Sequence, residues 1–330
     1  MVIFLPACRE GHTAPRHTKQ EQAANDLTVR KKGPGFYLKR DWELYVLMIL
    51  PMLFIIVFKY FAYGGLSVAF LDYKVARGYA GSEFVGLEIF EKVFTHRDFG
   101  KAVFNTLLLN ILDLIFSFPM PIILALLLNE IRVKWFKRTT QTLLYLPHFL
   151  SWVVIGATAY QMFTTGTGII NILITNSGGT EIPFLQEDGW WLFTYVVIGV
   201  WQTMGWGTII YLAAITNVNA ELYEAAKVDG ANRFQQCLHV TLPCIRSTIV
   251  TMLIMQLGKL MGGSFERILA LSNAAVTEFT TTIPVLVYRW FQANNFSEST
   301  ALGLFQSIIG LILVLASDFA AKKLGEDGLL

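Results

Sequence analysis

Charged residues are scarce in this chain of 330 residues, since Asp, Glu, Lys and Arg together make up only 15% of it. A typical soluble domain has roughly 25%. Hydrophobic residues make up 54% of the chain, and the mean hydropathy is +0.50. This composition indicates an integral membrane protein. The formal net charge of +2 is too small to favour a nucleic-acid partner.

Sequence patterns for catalysis, metal binding and nucleotide binding are also missing. Gly258-Lys259 is the nearest fragment of the phosphate-binding pattern G-x-x-x-x-G-K-[ST], but it lacks the earlier glycine and the hydroxyl residue. No H-E-x-x-H sequence, nucleophile elbow or carboxylate pair suggests hydrolysis. The three cysteines do not have the spacing of a zinc site. We therefore expect no catalytic residue, no metal site and no cofactor bound by this chain.

Long apolar runs are what the sequence does contain. A spanning helix needs about 20 mostly apolar residues, because each residue adds ~1.5 Å and the hydrocarbon layer is ~30 Å thick. Six runs are long enough: Tyr45–Phe70, Ala102–Leu128, Thr142–Phe163, Trp191–Ile215, Ser247–Leu271 and Ala301–Ala321. Two shorter runs, Gly168–Ile174 and Ile283–Phe291, suit loops or interfacial segments. The sequence therefore predicts an all-α integral membrane fold with six transmembrane helices.

The positions of Lys and Arg predict how this domain is oriented. Of the 26 such residues, 17 fall in the terminal segments and in the loops after the second and fourth runs, 7 fall in the alternate loops, and Lys59 and Lys259 lie inside runs. Cytoplasmic loops carry the excess of Lys and Arg. We therefore expect a cytoplasmic tail over residues 1–42, a transmembrane domain over 43–322 and a cytoplasmic tail over 323–330.

The outer side is expected to hold long polar loops over residues 71–101, 164–190 and 272–300. Arg267 and Arg289 belong to this side and are candidate contacts for an outer partner. Several aromatic residues stand where an aromatic belt at the membrane surface is expected, and we interpret them as anchors of the spans. These are Trp190, Trp191, Tyr288 and Trp290.

One polar stretch, EAAKVDGANRFQQCLHVTLP, lies in the segment 217–245 between the fourth and fifth runs. Asn219 is suited to cap a first helix, and Gly230 is suited to end it because glycine accepts a positive φ. Asn232 is suited to begin a second short helix, and Leu242-Pro243 to end it. The small, mixed-charge surface favours docking of another protein. The alternative is an amphipathic helix resting on lipid headgroups.

The same stretch resembles the EAA motif of the permease subunits of ABC importers. Glu-Ala-Ala is followed by a glycine and by a Val-x-Leu-Pro ending, two spans before the C-terminus, and only Val240 departs from the family's Ile. The matching residues are Glu224, Ala225, Ala226, Asp229, Gly230, Ala231, Leu242 and Pro243. The resemblance covers nearly the whole chain after residue 40. It points to the maltose-type carbohydrate family, in the branch for complex or uronic-acid oligosaccharides such as alginate or pectin fragments. Asn105-Thr106, Leu146-Pro147 and Gln202 resemble that branch more weakly.

The resemblance implies a non-enzymatic permease of a bacterial inner membrane that forms half of a translocation path. The EAA segment would be a coupling helix seated in a cleft of a cytoplasmic ATPase dimer, which would bind the ATP and Mg. Glu224 would contact the ATPase, and Gly230 would form the turn between Asp229 and Ala231. The other implied partners are a second homologous permease, giving a heterodimer, and a periplasmic or extracytoplasmic solute-binding protein that delivers an oligosaccharide.

Polar residues inside the apolar runs are candidates for the substrate path, because such residues are costly in lipid and usually face a wet cavity. The candidates are Asn110, Asp113, Ser117, Trp201, Gln202, Trp206, Gln256 and Lys259. Gln256, Lys259, Gly263 and Glu266 are predicted to share one helical face. The alternative is packing, for example a buried pair of Asp113 with Lys259. A cation at Lys259 that faces the path would favour an anionic substrate.

Two other classes of membrane protein are weighed against an importer subunit. A self-contained ion-coupled transporter typically has internal repeats and ionisable residues in several spans. The sequence has no clear repeat and few charges inside its apolar runs. A membrane-embedded enzyme would need a catalytic constellation, and none is recognisable here.

Overall fold

The computed structural model describes Phe36, residues 39–325 and Gly328. Most of the predicted tail over residues 1–42, and part of the tail over 323–330, lie outside the described residues. The chain divides after Ser67 into two compact units. Span one, Trp42–Phe70, lies in the first unit apart from its last residues. It begins as helix α1 (Trp42–Ile55), which includes Pro51, and continues through a π-helical turn, Ile56–Tyr60, and a 3-10 stretch, Phe61–Phe70.

A short hairpin follows span one at the start of the second unit. Strand β1 (Leu71–Asp72) pairs antiparallel with β2 (Glu83–Phe84), with Leu71 opposite Phe84. Helix α2 (Glu88–Thr95) follows, and it buries Ile89 and Val93 in a hydrophobic cluster with residues of the last helices of the chain. The hairpin is tied to the last span because the Ser297 hydroxyl donates to the carbonyl of Leu71 and accepts from the amide of Tyr73.

Spans two and three are both interrupted. Span two runs over Phe99–Glu130. It consists of α3 (Phe99–Leu112), a π-helical turn (Asp113–Ser117) and α4 (Pro119–Glu130). Span three consists of α5 (Lys134–Tyr145), a 3-10 turn (Leu146–Phe149) and, after a bend of 100°, α6 (Trp152–Phe163). A proline stands in the first turn of both α4 and the 3-10 element, where its missing N–H leaves no helix bond unmade.

The second half of the chain contains spans four to six and the EAA segment (residues 217–245). Short helix α7 (Ile169–Asn176) precedes α8 (Asp188–Thr216), which is span four. The EAA segment holds α9 (Ala220–Val228), α10 (Arg233–Gln236), a π-helical turn (Cys237–Thr241) and α11 (Leu242–Cys244). Beyond it lie α12 (Arg246–Gly258), α13 (Phe265–Leu271), α14 (Thr277–Thr280), α15 (Ile283–Gln292) and α16 (Phe296–Lys323), which is span six.

In the described part of the chain, four helices are long and apolar enough to cross a membrane, and two bent pairs raise the number to six. The second pair joins Arg233–Cys244 to Arg246–Gly258 with a bend of 63°. Helix α12 alone covers ~20 Å at 1.5 Å per residue, which is short of a bilayer. We therefore assign the fifth crossing to α12 together with α13.

The fifth crossing differs from the prediction of a continuous helix over Ser247–Leu271. Helix α12 ends at Gly258, and a turn over Lys259–Ser264 separates it from α13. The amides of Gly262 and Gly263 both donate to the carbonyl of Lys259. Gly263 adopts φ +55°, a left-handed conformation that favours glycine. The predicted single face of Gln256, Lys259, Gly263 and Glu266 is therefore wrong.

The core of the second unit consists of separate hydrophobic clusters between helices. One of them centres on Trp191 and Tyr195 of span four, with Leu109 of span two and Leu271 of α13. The indole N–H of Trp191 donates to the carbonyl of Leu271 at 2.9 Å. Trp191 and Trp290 are both buried, so their predicted place in an interfacial belt is wrong. These side chains join helices to one another.

Candidate functional site

Two local signals in the sequence form the turn of the EAA segment as predicted. The Asn219 side chain caps α9 by accepting from the amide of Glu221 at 3.0 Å. Helix α9 ends with Gly230 at φ +78°. The amide of Ala231 then donates to the carbonyl of Ala226 at 2.9 Å, and that of Gly230 to Lys227 at 3.0 Å. Such bonds satisfy carbonyls that would otherwise lack partners at a helix end.

The second helix of the EAA segment also starts as predicted, but it ends later. Asn232 and Gln235 form a capping box, with bonds of 2.9 and 2.8 Å. Pro243 does not stop the helix after Leu242. It occupies the first turn of α11, directly after the π-helical turn Cys237–Thr241, and the chain bends only before Arg246. A proline is tolerated there because the first turn of a helix leaves its N–H groups unused.

The EAA segment is held from behind by polar contacts. The Tyr223 hydroxyl and the Thr241 hydroxyl lie 3.0 Å apart, which joins α9 to the π-helical turn. The Gln236 amide donates to the carbonyl of Ala231 at 2.8 Å. Arg233 forms an ion pair of 2.7 Å with Glu130 at the end of span two. The two halves of the EAA segment are therefore bonded to each other, and the ion pair of Arg233 fixes the segment to span two.

The front of the EAA segment is open. Glu224, Ala225, Asp229 and Gly230 are exposed, while Ala226 and Ala231 are half-buried. Leu242 packs on a cluster that includes Ile245, and Pro243 is exposed. Of the eight predicted coupling residues, three lie on α9 (Glu224, Ala225 and Ala226), three form the turn (Asp229, Gly230 and Ala231), and two lie at the start of α11.

Two exposed apolar residues on this surface were missed by the sequence reasoning. Val228 is 88% exposed and Phe234 is 74% exposed, and they lie just before and just after the turn. An isolated apolar side chain on a surface is ordinary, but two of them beside a small-residue turn resemble the anchors of a protein interface. The sequence could have identified them, because they are large apolar residues within a segment that is otherwise too polar for lipid.

Within the membrane, the predicted polar face of span two leads to a buried cluster of charges. Asn110 and Asp113 are buried, and Ser117 donates to the Asp113 carboxylate at 3.4 Å. Asp113 forms an ion pair with Arg267 of α13. The suggested pairing of Asp113 with Lys259 is therefore wrong. The Asn110 amide donates to the carbonyl of Thr106 at 2.7 Å, so its own helix satisfies it.

Arg267 is the centre of this cluster and not an outer-loop residue as predicted. Arg267 is only 2% exposed. Its guanidinium donates to the Tyr195 hydroxyl at 2.5 Å and lies 3.7 Å from the centroid of the Tyr195 ring. Span four approaches so closely that a Cβ on Gly199 would lie 1.6 Å from the guanidinium. Arg267 therefore joins α13 to spans two and four.

The aromatic and amide candidates of span four gather where span three bends. Trp206 stacks on His148 with ring centroids 4.6 Å apart and planes at 9°. The Gln202 amide is buried and donates to the carbonyl of His148 at 3.4 Å. Trp201 and Trp206 are both exposed. The two Trp rings are therefore exposed, while the Gln202 amide is partly used in a hydrogen bond to span three.

The candidates of the fifth crossing lie at its break. Gln256 is half-buried near the end of α12, and Lys259 is exposed in the turn that follows. No ion pair joins Lys259 to an acid within the described residues, in contrast to Arg267. A Cβ on Gly263 would lie 2.9 Å from the Asn110 amide nitrogen, so this turn lies directly against span two.

Comparison with known proteins identifies the fold and its role. Residues 99–325, from the start of span two to just past span six, match the binding-protein-dependent transport system inner membrane component family. The chain belongs to this family. It is therefore an all-α inner-membrane permease of an ABC importer, and a self-contained ion-coupled transporter is no longer an alternative.

Two named bacterial proteins and one crystal structure align with most of the chain. Protein LplB of Bacillus subtilis (strain 168) is 42% identical over 309 residues, which are 92% of this chain and 97% of that protein. The polygalacturonan/rhamnogalacturonan transport system permease protein YteP of the same strain is 45% identical over 303 residues, 91% and 94% of the two chains. A bacterial alginate ABC transporter, in a crystal structure with an alginate pentasaccharide-bound periplasmic protein, superposes with a TM-score of 0.80 at 34% identity, covering 88% and 98% of the two chains.

Proposed function

We propose that this permease forms half of the path for an acidic oligosaccharide, of the kind released from alginate or pectin. The observation that carries the proposal is the near-complete coverage of this chain by two relatives of known cargo. One is named for polygalacturonan and rhamnogalacturonan, and the other was crystallised as an importer of the acidic polysaccharide alginate. Polymers of this kind carry a carboxylate on many sugar units.

The partners follow from the same proposal. A second homologous permease completes the path, a solute-binding protein delivers the sugar outside, and a separate ATPase dimer binds ATP and Mg inside. One EAA segment serves one ATPase subunit. The exposed Glu224, Asp229 and Gly230 form the docking surface, with Val228 and Phe234 as apolar anchors beside it. Both termini of this chain lie in the cytoplasm, where the Lys- and Arg-rich segments are expected.

Lys259 supplies the preference for negative charge. It lies 13 residues beyond Arg246, so at 1.5 Å per residue it stands ~20 Å along the fifth crossing. A charged side chain left in hydrocarbon at this depth costs ~2.5–3.5 kcal/mol or more. An exposed ammonium without a carboxylate partner among the described residues is therefore best placed facing water in the path. There it attracts a sugar carboxylate.

Transport in proteoliposomes tests this assignment. The permease pair, the ATPase and the solute-binding protein are reconstituted together, and uptake of radiolabelled trigalacturonate and maltotriose is measured with and without ATP. We expect ATP-dependent uptake of trigalacturonate that exceeds uptake of the neutral trisaccharide. Uptake of maltotriose alone would contradict the acidic cargo, and uptake without ATP or binding protein would contradict the assembly.

Lys259→Met should lower trigalacturonate uptake about tenfold, which corresponds to the loss of ~1.4 kcal/mol of attraction. Lys259→Arg should keep at least half of the uptake, because it keeps the charge. The matched control is Lys323→Met at the end of span six, which removes an exposed cation far from the break. An equal loss for charged and neutral sugars after Lys259→Met, or no loss, would exclude charge selection by this residue.

A further inference from the structure

A groove of about 440 Å³ opens between α13, α15 and α16. One wall is aromatic, with the rings of Phe265 and Tyr288 meeting edge to face at a centroid distance of 5.3 Å. Phe291 extends the same wall, while Gln306 and Ser307 of span six line the other side. The groove therefore combines aromatic faces with hydrogen-bonding groups, as small-molecule sites commonly do.

The groove side of span six is polar over three turns. Ser299, Gly303, Gln306, Ser307 and Gly310 recur at helical spacing and share one face. The exposed residues toward the inner end of the same helix are large and apolar, as lipid requires: Ile308, Leu311, Ile312, Leu315 and Phe319. A face of amide, hydroxyl and glycine residues gains nothing from lipid, so it is suited to a wet path.

Gln306 is the polar group with free capacity in this groove. Its side-chain amide makes no hydrogen bond with any residue that the structure describes, although the residue is half-buried. By contrast, the hydroxyl of Ser299 is already used, because it donates to the carbonyl of Val287 at 2.9 Å. An amide can donate twice and accept twice, and a sugar offers hydroxyls that match both roles.

The groove continues to the break in the fifth crossing. A Cβ on Gly262 would lie 3.5 Å from the Gln306 amide nitrogen, and a Cβ on Gly310 would lie 3.1 Å from the carbonyl of Gly258. Gln306 therefore stands between the aromatic wall and the turn that carries Lys259. At 1.5 Å per residue, Gln306 lies ~15 Å from the outer end of α16, and Gly310, which faces Gly258 beside Lys259, lies ~6 Å further toward the inner end.

We propose that this groove is an oligosaccharide subsite in the outer half of the path. A sugar ring lays its C–H face on Phe265 and Tyr288, and its hydroxyls bond to the Gln306 amide. The Ser307 hydroxyl already donates to the carbonyl of Gly303 at 2.9 Å, so it can only accept from the sugar. The next unit toward the cytoplasm then places its carboxylate near Lys259. This inference rests on the proposed function, since it supplies that cargo with a second point of contact outside the charged residue.

The test uses the complete importer in proteoliposomes, with trigalacturonate and maltotriose as the probes and saturating loaded binding protein. Gln306→Leu removes the amide at nearly constant volume, and Tyr288→Ala removes a ring. Each should lower sugar uptake per ATP hydrolysed about tenfold for both sugars, because hydroxyls and C–H faces are common to them. Binding-protein-stimulated ATPase activity should stay within twofold of wild type, since neither residue lies near the EAA segment.

Matched controls separate a subsite from a packing role. Tyr288→Phe keeps the ring and removes only the hydroxyl, which accepts from Gln292 at 2.6 Å, so it should keep most of the uptake. Ile312→Ala alters the exposed apolar side of span six and should change nothing. Unchanged uptake in Gln306→Leu and Tyr288→Ala would overturn the subsite, and so would a parallel loss of uptake and ATPase activity. Wild-type vesicles that take up neither trisaccharide would instead remove the proposed function, and this inference with it.

Discussion

At the scale of single residues, the buried pair of Arg267 and Asp113 dominates the transmembrane helices. Both residues are nearly inaccessible, at 2% and 5% exposure, and the guanidinium also contacts Tyr195. Removing one partner of a buried ion pair typically costs about 3–5 kcal/mol, because the other charge is left without compensation. The contact is possible only because position 199 is a glycine, which leaves space for the guanidinium.

Gly199→Ala should therefore destabilise the permease. The added methyl group would overlap the Arg267 guanidinium and push it away from Asp113. We therefore expect the free energy of unfolding to fall by about 3–5 kcal/mol, as is typical when a buried ion pair is broken. The measurement is the temperature at which the detergent-solubilised complex loses its monodisperse elution peak. Gly303→Ala is the matched control, because a Cβ there meets no atom within 4 Å. Equal melting of the two variants would contradict the close approach.

The sequence could not identify this pair, and the reason is physical. Charge counting assigns Arg267 to the outer loop, because it stands near the outer end of the fifth apolar run. Pairing Lys259 with Asp113 follows from the sequence because both lie inside predicted helices. The turn after Gly258 changes the direction of the chain, and it brings Arg267 rather than Lys259 to span two.

At the scale of elements, the EAA segment was the most predictable part of the molecule. Its caps and its glycine turn depend on neighbouring residues, so local sequence determines them. The break in the fifth crossing was not predictable in the same way. A turn of Lys259, Leu260, Met261 and two glycines is mostly apolar, and the average hydropathy of a run does not distinguish a turn from a helix.

Gly230→Pro should uncouple the importer. Proline fixes φ near −65°, whereas the turn requires +78°, so α9 and α10 are expected to lose their relative orientation. We expect the ATPase to co-purify at less than about a tenth of the wild-type amount, since a shift of ~1.4 kcal/mol in docking is sufficient. Uptake should fall in parallel.

Gly178→Pro is the matched control for this variant. Gly178 also has a positive φ, of +84°, but it follows α7 and lies far from the EAA segment along the chain. Its substitution imposes the same backbone conflict elsewhere, so co-purification of the ATPase should be unchanged. A coupling role for the EAA turn would be refuted by full ATPase binding and uptake in the Gly230→Pro permease.

At the scale of the whole molecule, six apolar runs and their order follow from composition. The described residues match them with four long helices, the bent third span and the fifth crossing formed by α12 and α13. The orientation depends on the distribution of Lys and Arg. Arg267 is buried among the helices, which reduces the outer set from 7 to six and leaves 17 on the inner side. The asymmetry on which the orientation rests is therefore slightly stronger than the sequence alone indicated.

Labelling of single cysteines tests this orientation. In a background without the native cysteines, Ser177→Cys should react with a membrane-impermeant maleimide in intact spheroplasts. Lys227→Cys and Lys323→Cys should react only after the membrane is permeabilised. All three positions are exposed in this chain, so in cells that lack the ATPase access to the reagent depends on the side of the membrane alone. Labelling of Lys323→Cys in intact spheroplasts would reverse the predicted topology.

The break at residues 259–264 also determines how far a tilt of α12 moves the outer end of that helix. Helix α12 has 13 residues and is attached at one end to the EAA segment, while α13 is anchored through Arg267. A helix of this length is ~20 Å long, so a tilt of about 10° about its inner end would move its outer end sideways by ~3.5 Å. That displacement exceeds the diameter of a water molecule and is delivered beside Lys259. On the proposed function, a tilt of this size at the EAA segment is therefore enough to change the width of the path beside Lys259.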